Sequence, residues 1–162
     1  MSYVVPANTR IGHIHLKVSD LDKALLFYKD LLGFQIMQRY GTAAVFLSAG
    51  GYHHHIGLNT WHSKDAGPAP VRACGLYHTA ILYAERAELA VVLQRLIDAK
   101  YPLTGAANHG VSEAIYLNDP DGNGVELYWD KPKEQWPFDH EGNIEMITEQ
   151  LDIPSLLAEI KK

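Results

Sequence analysis

Residues 12–34, GHIHLKVSDLDKALLFYKDLLGF, decide how this chain folds. From His13 to Val18 polar and apolar side chains alternate strictly, the pattern of a strand with one face on a core. His13, His15 and Lys17 share one face, and Ile14, Leu16 and Val18 share the other. Leu21, Ala24, Leu25, Tyr28, Leu31 and Leu32 then recur at helical spacing. Ser19 is expected to cap this helix, with Asp22 in place of the usual Glu of a capping box, and Gly33 to end it. Short strands are predicted around 34–40, 43–48 and 53–59.

The order repeats downstream. A strand is predicted from Tyr77 to Tyr83, and a helix from about Arg86 to Ala99 with Leu89, Val92, Leu93, Leu96 and Ile97 on one side. Strands follow near 111–117 and 123–129. Between them Asp119-Pro120-Asp121-Gly122-Asn123-Gly124 is a dense turn signal that makes them a hairpin. Superimposing the two first strands places His13 on His78, an offset of 78 − 13 = 65 residues. The unit of strand, helix and three strands is therefore read as an internal duplication. The segment Ser63 to Pro70 has the Pro and Gly content of an exposed connection.

The expected fold class is α+β: two tandem βαβββ modules forming a curved, cup-like mixed sheet with helices on the outer face. Module one covers about 10–60 and module two about 75–130, within a single domain over 1–132. A tail over 133–162 ends in a short apolar helix at Leu156, Leu157 and Ile160, and is expected to pack on its own domain or on a second subunit.

The chain has 162 residues, 47% of them hydrophobic, which suffices for one well-buried core but not for two ordinary domains. Its formal net charge is −5 and its 14 Lys and Arg are scattered, which argues against nucleic acid as a partner. A single cysteine, Cys74, excludes an intrachain disulfide, and no stretch has the roughly 20 apolar residues of a membrane span. A cytoplasmic protein is the expectation.

Strand parity points several reactive side chains the same way. With each apolar set under a helix, His13, His55, His78, Tyr116 and Glu126 all project from the opposite faces. Two imidazoles and one carboxylate, His13, His78 and Glu126, make a site with open positions suited to Fe(II), Mn(II) or another borderline divalent ion. Each residue taken singly is weak: a lone strand histidine is more often packed or surface-exposed than a ligand. His53, His54 and His55 alone also fit a polar strand end or an adventitious metal tract. Parity, repeat symmetry and ligand type together shift the balance.

The stretches GHIHLKVSDLDKALLFYKDLLGF, YHHHIGLNTW and GVSEAIYLNDPDGNGVELYWD resemble the glyoxalase, bleomycin-resistance and extradiol dioxygenase superfamily, and within it small catechol 2,3-dioxygenase-like proteins. The resemblance spans about residues 10–132. It implies a metal-holding cup with a potential ligand from the first and last strand of each module, here His13, Gly57, His78 and Glu126. Gly57 has no ligating side chain, which departs from the four-ligand pattern of lactoylglutathione lyases and leaves the set that extradiol dioxygenases resemble. Tyr116, 126 − 116 = 10 residues before Glu126, matches their pocket tyrosine. His55 falls where they carry an acid-base histidine, and His109 resembles another of their pocket histidines. The implied function is opening of a catechol-like ring with O2 on one Fe(II) or Mn(II), the partners being a small aromatic substrate and O2. Extradiol enzymes have four such modules and this chain two, so the resemblance leaves room for a homodimer, or for the tail around Trp136, to complete the pocket.

Three other readings compete. A metal-dependent isomerase, lyase or thiol transferase would keep the metal without O2 chemistry, although Gly57 counts against the glyoxalase version. A drug-sequestering binding protein would need no ligands. A cupin, suggested by His13-x-His15, is discarded because a capped helix follows where cupins continue in strands.

Overall fold

Strand β1 (Ile14–Lys17) begins one residue after His13 and runs parallel to β4 (Ile56–Asn59). Strands β3 (Ala44–Ser48) and β2 (Gln35–Tyr40) continue the sheet antiparallel, giving the order β1-β4-β3-β2. The computed structural model describes residues 2–161. The chain divides into two units, Met1–Gly67 and Pro68–Lys162, and the boundary falls in the predicted Pro- and Gly-bearing connection.

The second unit repeats the topology. Strand β5 (His78–Tyr83) pairs in parallel with β8 (Gly124–Asp130), and β7 (Ser112–Asn118) and β6 (Leu103–Asn108) follow antiparallel. The order β5-β8-β7-β6 reproduces the first sheet strand for strand, and β9 (Glu149–Gln150) extends it beyond β6. The α+β class and the twofold βαβββ plan are thus as expected, each module carrying its own mixed sheet. Helix α2 (Arg86–Asp98) buries Leu89, Ala90, Val92, Leu93 and Leu96 and packs against β5 and β8. Each Leu or Val side chain so removed from water contributes about 1.5–3 kcal/mol. Among the described residues no helix is long and apolar enough to cross a membrane.

Local details differ from the sequence reading. Helix α1 (Leu21–Leu25) is capped by Asp20, whose Oδ1 accepts the Asp22 and Lys23 amides at 2.8 and 3.2 Å. Ser19 lies one residue too early, and the extended backbone at Asp20 is what aims a side-chain oxygen at the free N–H groups. The helix then widens into a π-helical stretch over Leu26–Leu31, with Leu32 N–H donating to Phe27 O. The wider turn lets the adjacent Phe27 and Tyr28 both be buried, with ring centroids 4.8 Å apart. Gly33 ends it at φ +91°, as expected.

The strand predicted over 53–59 is shorter. His53, His54 and His55 lie in the loop entering β4, although the His55 amide already donates to Leu47 O at 2.8 Å. Strand β6 had no assignment in the sequence reading, because LTGAAN lacks alternation and bulges between Leu103 and Gly105. The tail packs on module two. Helix α3 (Ile153–Leu157) meets α2, with Leu151 and Leu156 buried.

Candidate functional site

Strand register shows how the two modules correspond. In module two Ala80 pairs with Glu126, and in module one His15 pairs with Gly57. Since 15 + 65 = 80, Gly57 stands where the repeat places Glu126. The sizes are exchanged: a small residue faces the carboxylate in module two, and an imidazole faces the glycine in module one. A Cβ at position 57 would come within 2.9 Å of the His15 ring.

Module two brings four predicted site residues into one hydrogen-bonded chain. His78 opens β5, and the parallel pairing of this strand with β8 sets its Nε2 3.0 Å from Glu126 Oε2. The Tyr116 hydroxyl, on the neighbouring strand and directly paired with Glu126, donates to Glu126 Oε1 at 3.0 Å. His109 Nε2 lies 2.7 Å from the same hydroxyl. Partial burial, then the bond to Glu126, pushes the Tyr116 phenol up to about 12, so at neutral pH it is a donor. His109 is held in turn by its Nδ1, 3.0 Å from the main-chain oxygen of Ile147.

Module one gathers aromatic and imidazole rings. His13 faces His54 with centroids 4.4 Å apart, and Phe46 meets both His54 and His15 at 5.1 and 5.7 Å. Trp61 closes on His15 at 5.6 Å. Partial burial, then His13, holds His15 below the ordinary histidine range. His54 is lowered by the same two causes and by His53, His15 and His55. These rings therefore stay neutral near pH 7 and keep lone pairs. His55 stands at the loop's end with Nδ1 3.0 Å from Ser48 Oγ, and the Ala49 N–H reaches the same nitrogen from 3.3 Å. Ser48 itself is fully buried and donates to Ala49 O at 3.1 Å.

Imidazole nitrogen and carboxylate oxygen are the donor types that Fe(II) and Mn(II) accept together. The His78–Glu126 pair fits such an ion, because its two donor atoms already converge to 3.0 Å. Among the described residues no three His, Cys, Asp or Glu side chains form a ready-made cage. His13, the third expected ligand, belongs to module one, where its ring is exposed.

Several contacts lay beyond sequence reasoning. Ile147 acts through its carbonyl, which leaves no mark in a sequence. Ser48 is a buried serine on an otherwise apolar strand, a signal that was there to be read.

Residues 10–127 match the Glyoxalase/Bleomycin resistance protein/Dioxygenase superfamily. The chain belongs to it. It is similar to a catechol-2,3-dioxygenase of Bacillus subtilis, 40% identical over 153 residues, which covers 94% of this chain and 52% of that protein. The chain thus spans about half the length of that relative. A biphenyl-2,3-diol 1,2-dioxygenase of Rhodococcus globerulus is 30% identical over 81% of this chain and 70% of its own length. In three dimensions a glyoxalase/dioxygenase of Nostoc punctiforme superimposes with a TM-score of 0.64 at 18% identity, covering 82% of this chain and 99% of that one. At that identity the likeness speaks for the superfamily fold alone.

Proposed function

We propose that this protein is an extradiol-type ring-cleaving dioxygenase that opens a catechol-like aromatic diol with O2. Its metal ligands in this reading are His13, His78 and Glu126, with one Fe(II) or Mn(II). The observation that carries it is the chain His78–Glu126–Tyr116–His109, in which a ligand pair is directly joined to a phenol and an imidazole able to manage protons. The 40% identity to a catechol-2,3-dioxygenase supports the same choice.

The metal, when bound, supplies a Lewis-acid centre that draws diol and O2 together and lets electron density pass between them. The chain's own residues do the rest. His55 is the residue that handles the diol proton in this reading; its ring is anchored at Nδ1 by Ser48 Oγ at 3.0 Å and by the Ala49 N–H at 3.3 Å. Tyr116 stays protonated, and its one O–H, which donates to Glu126 Oε1 in the free protein, turns to a diol oxygen when substrate enters. Phe46, His54 and Trp61 give module one a partly open aromatic surface for a flat ring.

The test is to purify the protein without oxygen, measure its metal, add Fe(II) or Mn(II), and follow oxygen uptake and a yellow ring-opened product with catechol. Metal binding with oxygen uptake and yellow product is the expected result. Metal binding without oxygen uptake across a series of catechols would overturn the reading in favour of a metal-dependent isomerase or thiol transferase. No metal binding at all would leave a drug-binding protein as the better account.

A further inference from the structure

The tail lies outside residues 10–127 that match the superfamily, yet it holds one end of the polar chain in module two. Ile147 bonds His109 twice: its N–H donates to the His109 carbonyl at 3.1 Å, and its carbonyl oxygen lies 3.0 Å from His109 Nδ1. A carbonyl only accepts, so Nδ1 must carry the hydrogen. Thr148 Oγ1 stands 3.4 Å from the same nitrogen. The next residues form β9, pairing Glu149 with Asn108 and Gln150 with Ala107, one and two positions before His109.

This segment is anchored at both ends. Before it, Pro137 presses on Gly110, where a Cβ would meet the proline ring at 2.8 Å and Ile147 at 3.2 Å, at a φ of +79° that itself favours glycine. After it, Leu151 and Leu156 are buried. Arg86, at the start of α2, donates to Ser155 O and to Glu159 Oε1 at 3.3 and 3.0 Å. The tail is therefore a clasp drawn across the edge of the sheet beside His109.

We infer that this clasp is a positioning element: the Ile147 carbonyl fixes the hydrogen of His109 on Nδ1 and so leaves the Nε2 lone pair facing the Tyr116 hydroxyl, as a second acceptor for its one proton beside Glu126 Oε1. This deepens the function proposed above and rests on it only for the role of Tyr116; the ring state itself is a property of the metal-free protein. An imidazole free in water prefers the hydrogen on Nε2, so the clasp selects the minority form. Side-chain nitrogens carry this information when a neighbour decides which of them is protonated.

The experiment is long-range proton–nitrogen correlation NMR on the metal-free, full-length protein, with amide exchange at Glu149 and Gln150 as the measure of tail docking. In the wild type Nδ1 of His109 should give the protonated, pyrrole-type signal. In Leu156→Ala, with the folded core checked by circular dichroism, faster exchange in β9 should be accompanied by loss of that signal to an average of both tautomers. An unprotonated Nδ1 in the wild type would overturn the inference without any variant. So would an unchanged His109 signal in Leu156→Ala once β9 protection is lost. Neither readout depends on metal or O2, so failure here is distinct from failure of the dioxygenase reading.

Discussion

The His15 ring lies over Gly57, on the strand beside it, at the place where a Cβ of residue 57 would have to go. Module two has the reverse arrangement, Ala80 beside Glu126. Gly57→Glu alone is expected to destabilise the protein by about 1–3 kcal/mol through overpacking. The double variant Gly57→Glu/His15→Ala copies the module-two pair and should recover most of that loss. Urea unfolding of the three variants gives the coupling directly, and additive effects would show that the ring does not own that space.

Removal of a proposed ligand should cost metal, not fold. His13→Ala, His78→Ala and Glu126→Ala are each expected to lose stoichiometric Fe(II) or Mn(II) retention, with unchanged circular dichroism. Elemental analysis after desalting reads the outcome. Stoichiometric metal in any of the three removes that residue from the ligand set.

Tyr116→Phe deletes one hydroxyl that bonds Glu126 and contacts His109. The loss should fall on turnover, with kcat down about 100-fold and KM nearly unchanged. Steady-state kinetics on metal-loaded enzyme checks this, and a rise in KM with normal kcat would assign the phenol to substrate binding alone.

Arg86 grips Glu113 with two bonds, Nε to Oε2 at 2.8 Å and Nη2 to Oε1 at 3.2 Å. Glu113 is only 8% exposed, so Arg86→Met strands a charge that little water can reach. The expected cost is about 3–5 kcal/mol, with partial recovery in Arg86→Met/Glu113→Gln. Chemical denaturation of the pair tests it.

Burial, then the nearby Glu88, pushes the Tyr83 phenol from 10.0 up to about 12. The folded state thus holds this proton more tightly than the unfolded chain does. Its contribution is complete below pH 10 and lost as pH rises through about 12. Stability should therefore decline over that window, and Tyr83→Phe should flatten the decline. An identical slope in the variant would place the alkaline sensitivity elsewhere.

The sequence showed what rests on periodicity and missed what rests on single contacts. Alternation from His13 to Val18, helical spacing in α2 and the turn at Asp119 to Gly124 each reflect burial of one whole face, and each element appeared where expected. Cap choice at Asp20 depended on one backbone angle, and the π-turn on two adjacent aromatics competing for the same core. Strand β6 was hidden because Gly105 and a bulge erase its alternation. At the site, parity put Tyr116 and Glu126 on one face, and the two pair directly across β7 and β8; His109, whose register the sequence left open, contacts the Tyr116 hydroxyl. The Ile147 carbonyl had no sequence signal, because every residue carries one.

Parallel pairing of β5 with β8 joins the first strand of module two to its fourth. His78 and Glu126 are therefore close in space only because everything between them has already folded. Loop closure over that distance makes such a contact one of the later ones to form, after the local helix and hairpin. A nascent chain that has not yet released β8 has His78 but lacks Glu126, and so holds only one half of that pair.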